Sequence, residues 1–210
     1  MEDFFMPHVE KGCISGQPQD VPAVALVGDS LVEYFPIDEL YQGPVRLYNR
    51  GVAGDTTYDI LARLDGAVAS LRPDTVIILA GVNDLMPFVP HNTKEEIVSR
   101  IVEIGKRTVA AMPGVRICVQ SLYPVHEADG QGLLNAAGNA AIRAINRLLR
   151  EQCIANGFTY IDVHSHLLDN AGQLDAHLTL DGLHVNRGAY EIILELLRPY
   201  FANVGDEPVT

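Results

Sequence analysis

Five short, largely apolar runs punctuate this chain: Val24 to Val27, Arg46 to Asn49, Thr75 to Ala80, Val115 to Gln120 and Phe158 to Val163. Each has the length of a strand. Between them, apolar residues recur every three or four positions, which predicts helices from about Thr57 to Leu71, Lys94 to Met112 and Asn135 to Asn156, with a closing helix over about Arg187 to Phe201. Local signals agree with these limits. Thr93 with Glu96 has the spacing of a capping box, Pro73 follows one helix, and Pro113-Gly114 and Asn156-Gly157 end two others. Apolar strands separated by helices predict a parallel sheet covered on both faces, a doubly wound α/β architecture. In such a fold the ligand crevice lies outside the carboxyl ends of the strands, so chemistry is to be sought where each run stops.

The 210 residues, 48% of them apolar, suit one domain with a central sheet. Residues 1–22 and 203–210 have no clear period and are rich in Pro, Gly and acidic side chains, so they are expected to be an N-terminal arm and a C-terminal tail around a domain over 23–202. No apolar run approaches the roughly 20 residues of a membrane helix. Glu2, Asp3 and Glu10 stand where a secretory signal would carry a basic flank, which leads to the expectation of a cytoplasmic protein. A net charge of −12 argues against holding nucleic acid or anionic lipid by general attraction and favours neutral or cationic ligands. Cys13, Cys118 and Cys153 show no paired spacing. The latter two fall in strand-like and helix-like runs and read as buried free thiols.

The ends of the runs carry complementary groups. The first leads into Gly28-Asp29-Ser30-Leu31, placing a serine at a strand-to-helix junction, where the bland reading is a helix cap. The second leads into Asn49 to Thr57, where Gly51 and Gly54 permit tight turning and leave backbone N–H groups uncovered, with Asp55 or Thr56 expected to cap the next helix. The third leads into Gly81-Val82-Asn83-Asp84, where Asn83 is either a turn former or an N–H donor. Before the last helix stands Asp181-Gly182-Leu183-His184, an acid and an imidazole close enough to meet within one turn. A neutral serine is a poor nucleophile; a histidine to take its proton and an acid to orient that histidine complete the chemistry.

These four motifs, in this order over residues 28 to 184, resemble the SGNH/GDSL hydrolase family of GDSL-like lipases and esterases. The resemblance implies a flavodoxin-like three-layer α/β/α fold with a five-stranded parallel sheet. It also implies Ser30 as nucleophile, His184 as general base, Asp181 as its orienting acid, and Ser30 N–H, Gly54 N–H and the Asn83 side chain as the oxyanion hole. The stretch Asn49 to Thr57 is similar to the branch that includes the platelet-activating-factor acetylhydrolase catalytic subunits, which cleave short acyl esters. After Leu31, where the family commonly continues with Thr or Ser and Gly, this chain has Val32-Glu33-Tyr34. The expected activity is hydrolysis of small carboxylic esters through an acyl-enzyme, with neither metal nor organic cofactor. Its partner is a small-molecule ester, and oligomeric state is left open, a homodimer included.

Rival readings use the same residues or the same scaffold. A thioesterase or lysophospholipase would act on longer acyl chains, and a binding module would keep the scaffold without turnover. A nucleotide or flavin binder would need a glycine-rich phosphate loop where this chain has Gly28-Asp29-Ser30. His164, His166, Asp175 and His177 lack a regular ligand spacing and read as a solvated loop. His126, Glu127 and Asp129 follow the fourth run, where they either rim the crevice or form plain surface, and Tyr123 and Phe88 either line an acyl site or pack.

Overall fold

The computed structural model describes residues 21–89, 92–127 and 138–201. Five parallel strands, β1 (Ala23–Gly28), β2 (Arg46–Gly51), β3 (Thr75–Leu79), β4 (Arg116–Gln120) and β5 (Thr159–Ile161), form one sheet in the order β2-β1-β3-β4-β5. The helices are α1 (Ser30–Glu33), α2 (Ile37–Leu40), α3 (Thr57–Val68), α4 (Lys94–Ala111), α5 (Gly138–Asn156) and α6 (Arg187–Leu197). Helices α3, α4 and α5 pack side by side. Helices α1 and α6 meet through Phe35, just beyond α1, which stacks on Tyr190 at 4.9 Å between ring centroids, and the Tyr190 hydroxyl donates to the Leu31 carbonyl at 3.0 Å. Right-handed crossovers put these two groups on opposite faces of the sheet. This is the expected five-stranded α/β sandwich.

Every residue of β1 and β3 is buried, and β4 is buried beyond Arg116, as inner strands of a doubly covered sheet must be. Edge strand β2 is only half-buried, which is why its run carries Arg46, Asn49 and Arg50. Cys118 and Cys153 are buried free thiols, and burial pushes both up to about 11. The capping box is present: Thr93 Oγ accepts from Glu96 N at 3.1 Å and the Glu96 carboxylate accepts from Thr93 N at 2.8 Å.

The sequence pattern overran some ends. Helix α3 stops at Val68 and gives way to a 3-10 turn before Arg72, and α6 stops at Leu197, where Pro199 cannot continue the ladder. Strand β5 is shorter than its apolar run because the Val163 and His164 N–H groups leave the ladder for Ser121 Oγ, at 2.9 and 2.8 Å. The four-residue helices α1 and α2 are too short to show a period. Residues 135–137 of the expected α5 lie outside the described residues, as do the C-terminal tail and all of the N-terminal arm except Val21 and Pro22. The carbonyls of those two accept from Arg46, so they border the sheet. No helix among the described residues is long and apolar enough to cross a membrane.

The order of strands reverses at β1, between β2 and β3. Ser30 follows β1, Gly54 follows β2 and Asn83 follows β3, so all three lie at the carboxyl edge around the switch point where such folds hold ligands.

Candidate active site

At the end of β1, a Cβ on Gly28 would stand 2.2 Å from the Leu79 carbonyl oxygen, so only glycine lets the chain leave the sheet here. Asp29, not Ser30, caps α1: its carboxylate accepts from Leu31 N at 3.0 Å. The serine is thereby the first helical residue, relieved of the capping role its position suggested, and its Oγ lies 3.0 Å from His184 Nε2. The Ser30 N–H makes no hydrogen bond among the described residues. Asp29 is fully buried, and burial, then the nearby Asp84 and Asp55 carboxylates, push it up to about 7 from 3.8 against the opposing Leu31 N–H bond.

The loop after β2 turns through Gly54 at φ +85°, a left-handed conformation that favours glycine. Gly54 N–H likewise has no partner among the described residues, whereas its neighbours are tied down. Ala53 N donates to the Glu33 carboxylate, Asp55 N to the Val52 carbonyl at 3.2 Å, and Asn83 Nδ2 to the Asp55 carbonyl at 2.9 Å. The Asp55 carboxylate pairs with Arg63 Nε, and Arg63 Nη2 reaches the carbonyls of Gly28 at 3.0 Å and Arg50 at 3.1 Å. Asp55 is therefore no helix cap. That role falls to Thr56, whose backbone and hydroxyl bond with Asp59. Asn83 is buried, and its bond to Asp55 occupies one amide hydrogen and leaves the second for a ligand. Beside it, buried Asp84 accepts from Thr57 N at 2.8 Å, Thr57 Oγ at 2.7 Å and Arg100 Nη2 at 3.2 Å, joining the start of α3 to α4.

The base loop is built locally. Thr179 Oγ donates to the His184 carbonyl at 2.8 Å and accepts from Gly182 N at 2.8 Å, and Leu180 N donates to the same His184 carbonyl at 2.8 Å. One Asp181 oxygen accepts from Leu183 N at 3.0 Å and His184 N at 2.7 Å, and the other lies 2.7 Å from His184 Nδ1. Partial burial works to raise Asp181, but the His184 ring and these two N–H groups outweigh it and hold the carboxyl below its ordinary value. An ionised carboxylate only accepts, so Nδ1 carries the hydrogen and the Nε2 lone pair faces the Ser30 hydroxyl.

The remaining candidates divide. The His126 N–H donates to the Gly182 carbonyl at 2.8 Å, so the loop after β4 touches the base loop through its backbone. Glu127 accepts from Asn139 N at 3.0 Å, and Asp129 lies outside the described residues. Tyr123 is buried with its hydroxyl on Gln120 Oε1 at 2.7 Å, and it packs rather than lines a crevice; Phe88 is exposed. His164 is not solvated as expected, because the turn after β5 buries it and burial lowers its pKa. His166 and His177 are exposed, and no group of three or more potential metal ligands exists among the described residues.

Sequence reasoning missed Arg63 and Arg100, and it named Glu33 and Asp84 without their supporting bonds, all of which run at right angles to the chain. Two further residues had a visible signal: Asn139 and Asn146, seven apart on the apolar face of α5, are buried and bond both backbone groups of Val125 and of Leu122 respectively. Polar amides on a buried face imply such partners.

The profile of the GDSL-like Lipase/Acylhydrolase family matches residues 19–192. The human platelet-activating factor acetylhydrolase IB subunit alpha2 is 27% identical over 190 residues, covering 84% of this chain and 78% of its own. Among solved structures, a Streptococcus pneumoniae protein named for platelet activating factor superposes with a TM-score of 0.79 at 29% identity, covering 87% of this chain and 85% of that one. A GDSL-like lipase from Bacteroides thetaiotaomicron gives 0.77 at 21% identity, covering 89% and 91%. That second likeness speaks to the fold alone.

Proposed function

From the premise that this chain belongs to the GDSL-like lipase/acylhydrolase family, and so is an ester-hydrolysing enzyme, we propose that it hydrolyses small carboxylic esters through a Ser30-His184-Asp181 triad. The observation that carries this reading is the continuous hydrogen-bonded line from Ser30 Oγ to His184 Nε2 and from Nδ1 to Asp181, together with the Ser30 and Gly54 backbone N–H groups, which have no partner among the described residues, and the Asn83 amide. Ser30 Oγ attacks the ester carbonyl while its proton passes to Nε2. The carbonyl oxygen gathers negative charge and takes hydrogen bonds from Ser30 N, Gly54 N and Asn83 Nδ2. Collapse of this intermediate expels the alcohol, which receives the proton from Nε2, and leaves the acyl group on Ser30. Water then repeats the sequence, with His184 as base, and releases the acid. Nothing in this cycle requires a metal or organic cofactor. The preference for a short acyl group is supported by the name of the human relative, an acetylhydrolase.

The test is Ser30→Ala together with a fluorophosphonate probe and p-nitrophenyl esters of increasing acyl length. Turnover should vanish in the folded variant, the probe should label Ser30 in the parent, and acetate or butyrate should be the best substrate. Near-parental turnover, or an adduct on another serine, removes Ser30 from the mechanism. A rate that climbs steadily to long chains replaces the small-ester reading with a thioesterase or lysophospholipase.

A further inference from the structure

Tyr34 is one helical turn beyond Ser30, its N–H donating to the Ser30 carbonyl at 2.9 Å, so nucleophile and tyrosine share a face of α1. Its ring centroid is 5.5 Å from that of His184, with the planes at 51°, and yet the residue is 53% exposed. One side of the ring thus packs on the general base, and much of the remainder is open to solvent at the mouth of the site. A large aromatic left this exposed loses apolar burial that the fold elsewhere takes up, as with Phe35 on Tyr190.

The chemistry of the cycle identifies which part of a substrate meets it. His184 Nε2 must hand its proton to the leaving oxygen, so the alcohol half of the ester departs along the imidazole, whereas the carbonyl oxygen faces the donors at the ends of β1, β2 and β3. We infer that Tyr34 is a specificity-determining residue that forms the wall of the leaving-group subsite and selects uncharged alcohols with a flat apolar face, an aryl or sugar ring. This rests on the triad reading above. The neighbouring Glu33 carboxylate and the net charge of −12 turn anionic alcohols away, and the tyrosine hydroxyl adds a donor that suits a ring bearing hydroxyls.

Three acetates that share one acyl-enzyme separate the alcohol from the acyl half: phenyl acetate, an acetylated methyl glucoside and trifluoroethyl acetate. In Tyr34→Ala, kcat/KM for the two ring alcohols should fall about tenfold relative to the parent. Trifluoroethyl acetate should change by no more than about twofold. Tyr34→Phe should keep most of the phenyl acetate activity, and the hydrolysis rate of the common acetyl-enzyme should be unchanged in both variants. A loss of equal size on all three acetates makes Tyr34 a support for His184 and overturns the inference. So does a loss that depends on acyl length in the p-nitrophenyl series. If the parent turns over none of these esters, the triad reading fails and takes this one with it; parental turnover with unaltered selectivity in Tyr34→Ala overturns this one alone.

Discussion

The two halves of the site are held by different means. Around β1, β2 and β3 the supports cross between elements and centre on the buried Asn83 and Asp84: half-buried Arg63 binds the ends of two strands and the Gly54 loop, Asn83 binds that loop from a third strand, and Asp84 fastens α3 to half-buried Arg100 of α4. Around Asp181 and His184 the supports are hydrogen bonds among residues 179 to 184, reinforced from outside by His126 N, and the side chains of Asp181 and His184 are 46% and 26% exposed. Geometry that must receive developing charge is fixed by the core, where reorganisation is smallest. The proton-carrying pair needs only one local orientation, and a short loop supplies it. A substitution in the first half should therefore damage fold and chemistry together, and one in the second half mainly chemistry.

Asp181→Asn tests the second half and carries the largest expected effect. The amide oxygen still accepts from Leu183 N and His184 N, so the loop should hold and the thermal midpoint should fall only slightly, by what the charged contact of a part-exposed carboxylate contributes. Presenting N–H instead of oxygen to Nδ1 reverses the imidazole tautomer, and kcat should fall by roughly 10⁴-fold. A much lowered midpoint with normal turnover per folded molecule would erase the contrast between the halves.

Asn83→Ala tests the first. Loss of a charge-stabilising donor should lower kcat by roughly 100- to 1000-fold with little change in KM. Because the same amide also holds the Asp55 carbonyl, stability should drop by about 1 kcal/mol. Denaturant titration and steady-state kinetics on one preparation check both numbers, and an unchanged kcat would reduce Asn83 to a loop tie.

What the sequence revealed follows the same division. Features written consecutively in the chain were legible: five strands from apolar runs, the main helices from their period, and the Asp181 to His184 loop from its three-residue spacing. The ordered motifs placed Ser30, Gly54 and Asn83 at strand ends, and the sheet order brings those ends together. Illegible were contacts perpendicular to the chain. Arg63 lies 35 residues from Gly28, and Thr57 and Arg100, whose side chains share Asp84, are 43 apart. No periodicity records such pairs. Of the two caps the loop offered, Thr56 takes the role and Asp55 does not, because a guanidinium eight residues on claims its carboxylate.

The last expected effect leaves the chemistry aside and is read on stability alone, and it opposes two aspartates, one from each half. Asp181 is held below its ordinary pKa, so its contribution is present above about pH 4 and is lost as the pH falls. Asp29 is raised from 3.8 to about 7, so its native form holds a proton that the unfolded chain has already released. Its contribution is full below about pH 4 and disappears as the pH rises through 7. The Asp29→Asn variant would keep an oxygen for Leu31 N but put an amide hydrogen where Asp29 Oδ2 has no hydrogen-bond partner, a cost that does not vary with pH. The quantity to read is therefore the difference in unfolding free energy between variant and parent, measured in urea at pH 5 and pH 8. Titration of every group common to both proteins cancels in that difference. It should move in favour of the variant by roughly 3 kcal/mol between the two pH values. A difference that stays flat would mean that Asp29 is ionised throughout and that the buried half of the site tolerates its charge as readily as the exposed half tolerates that of Asp181.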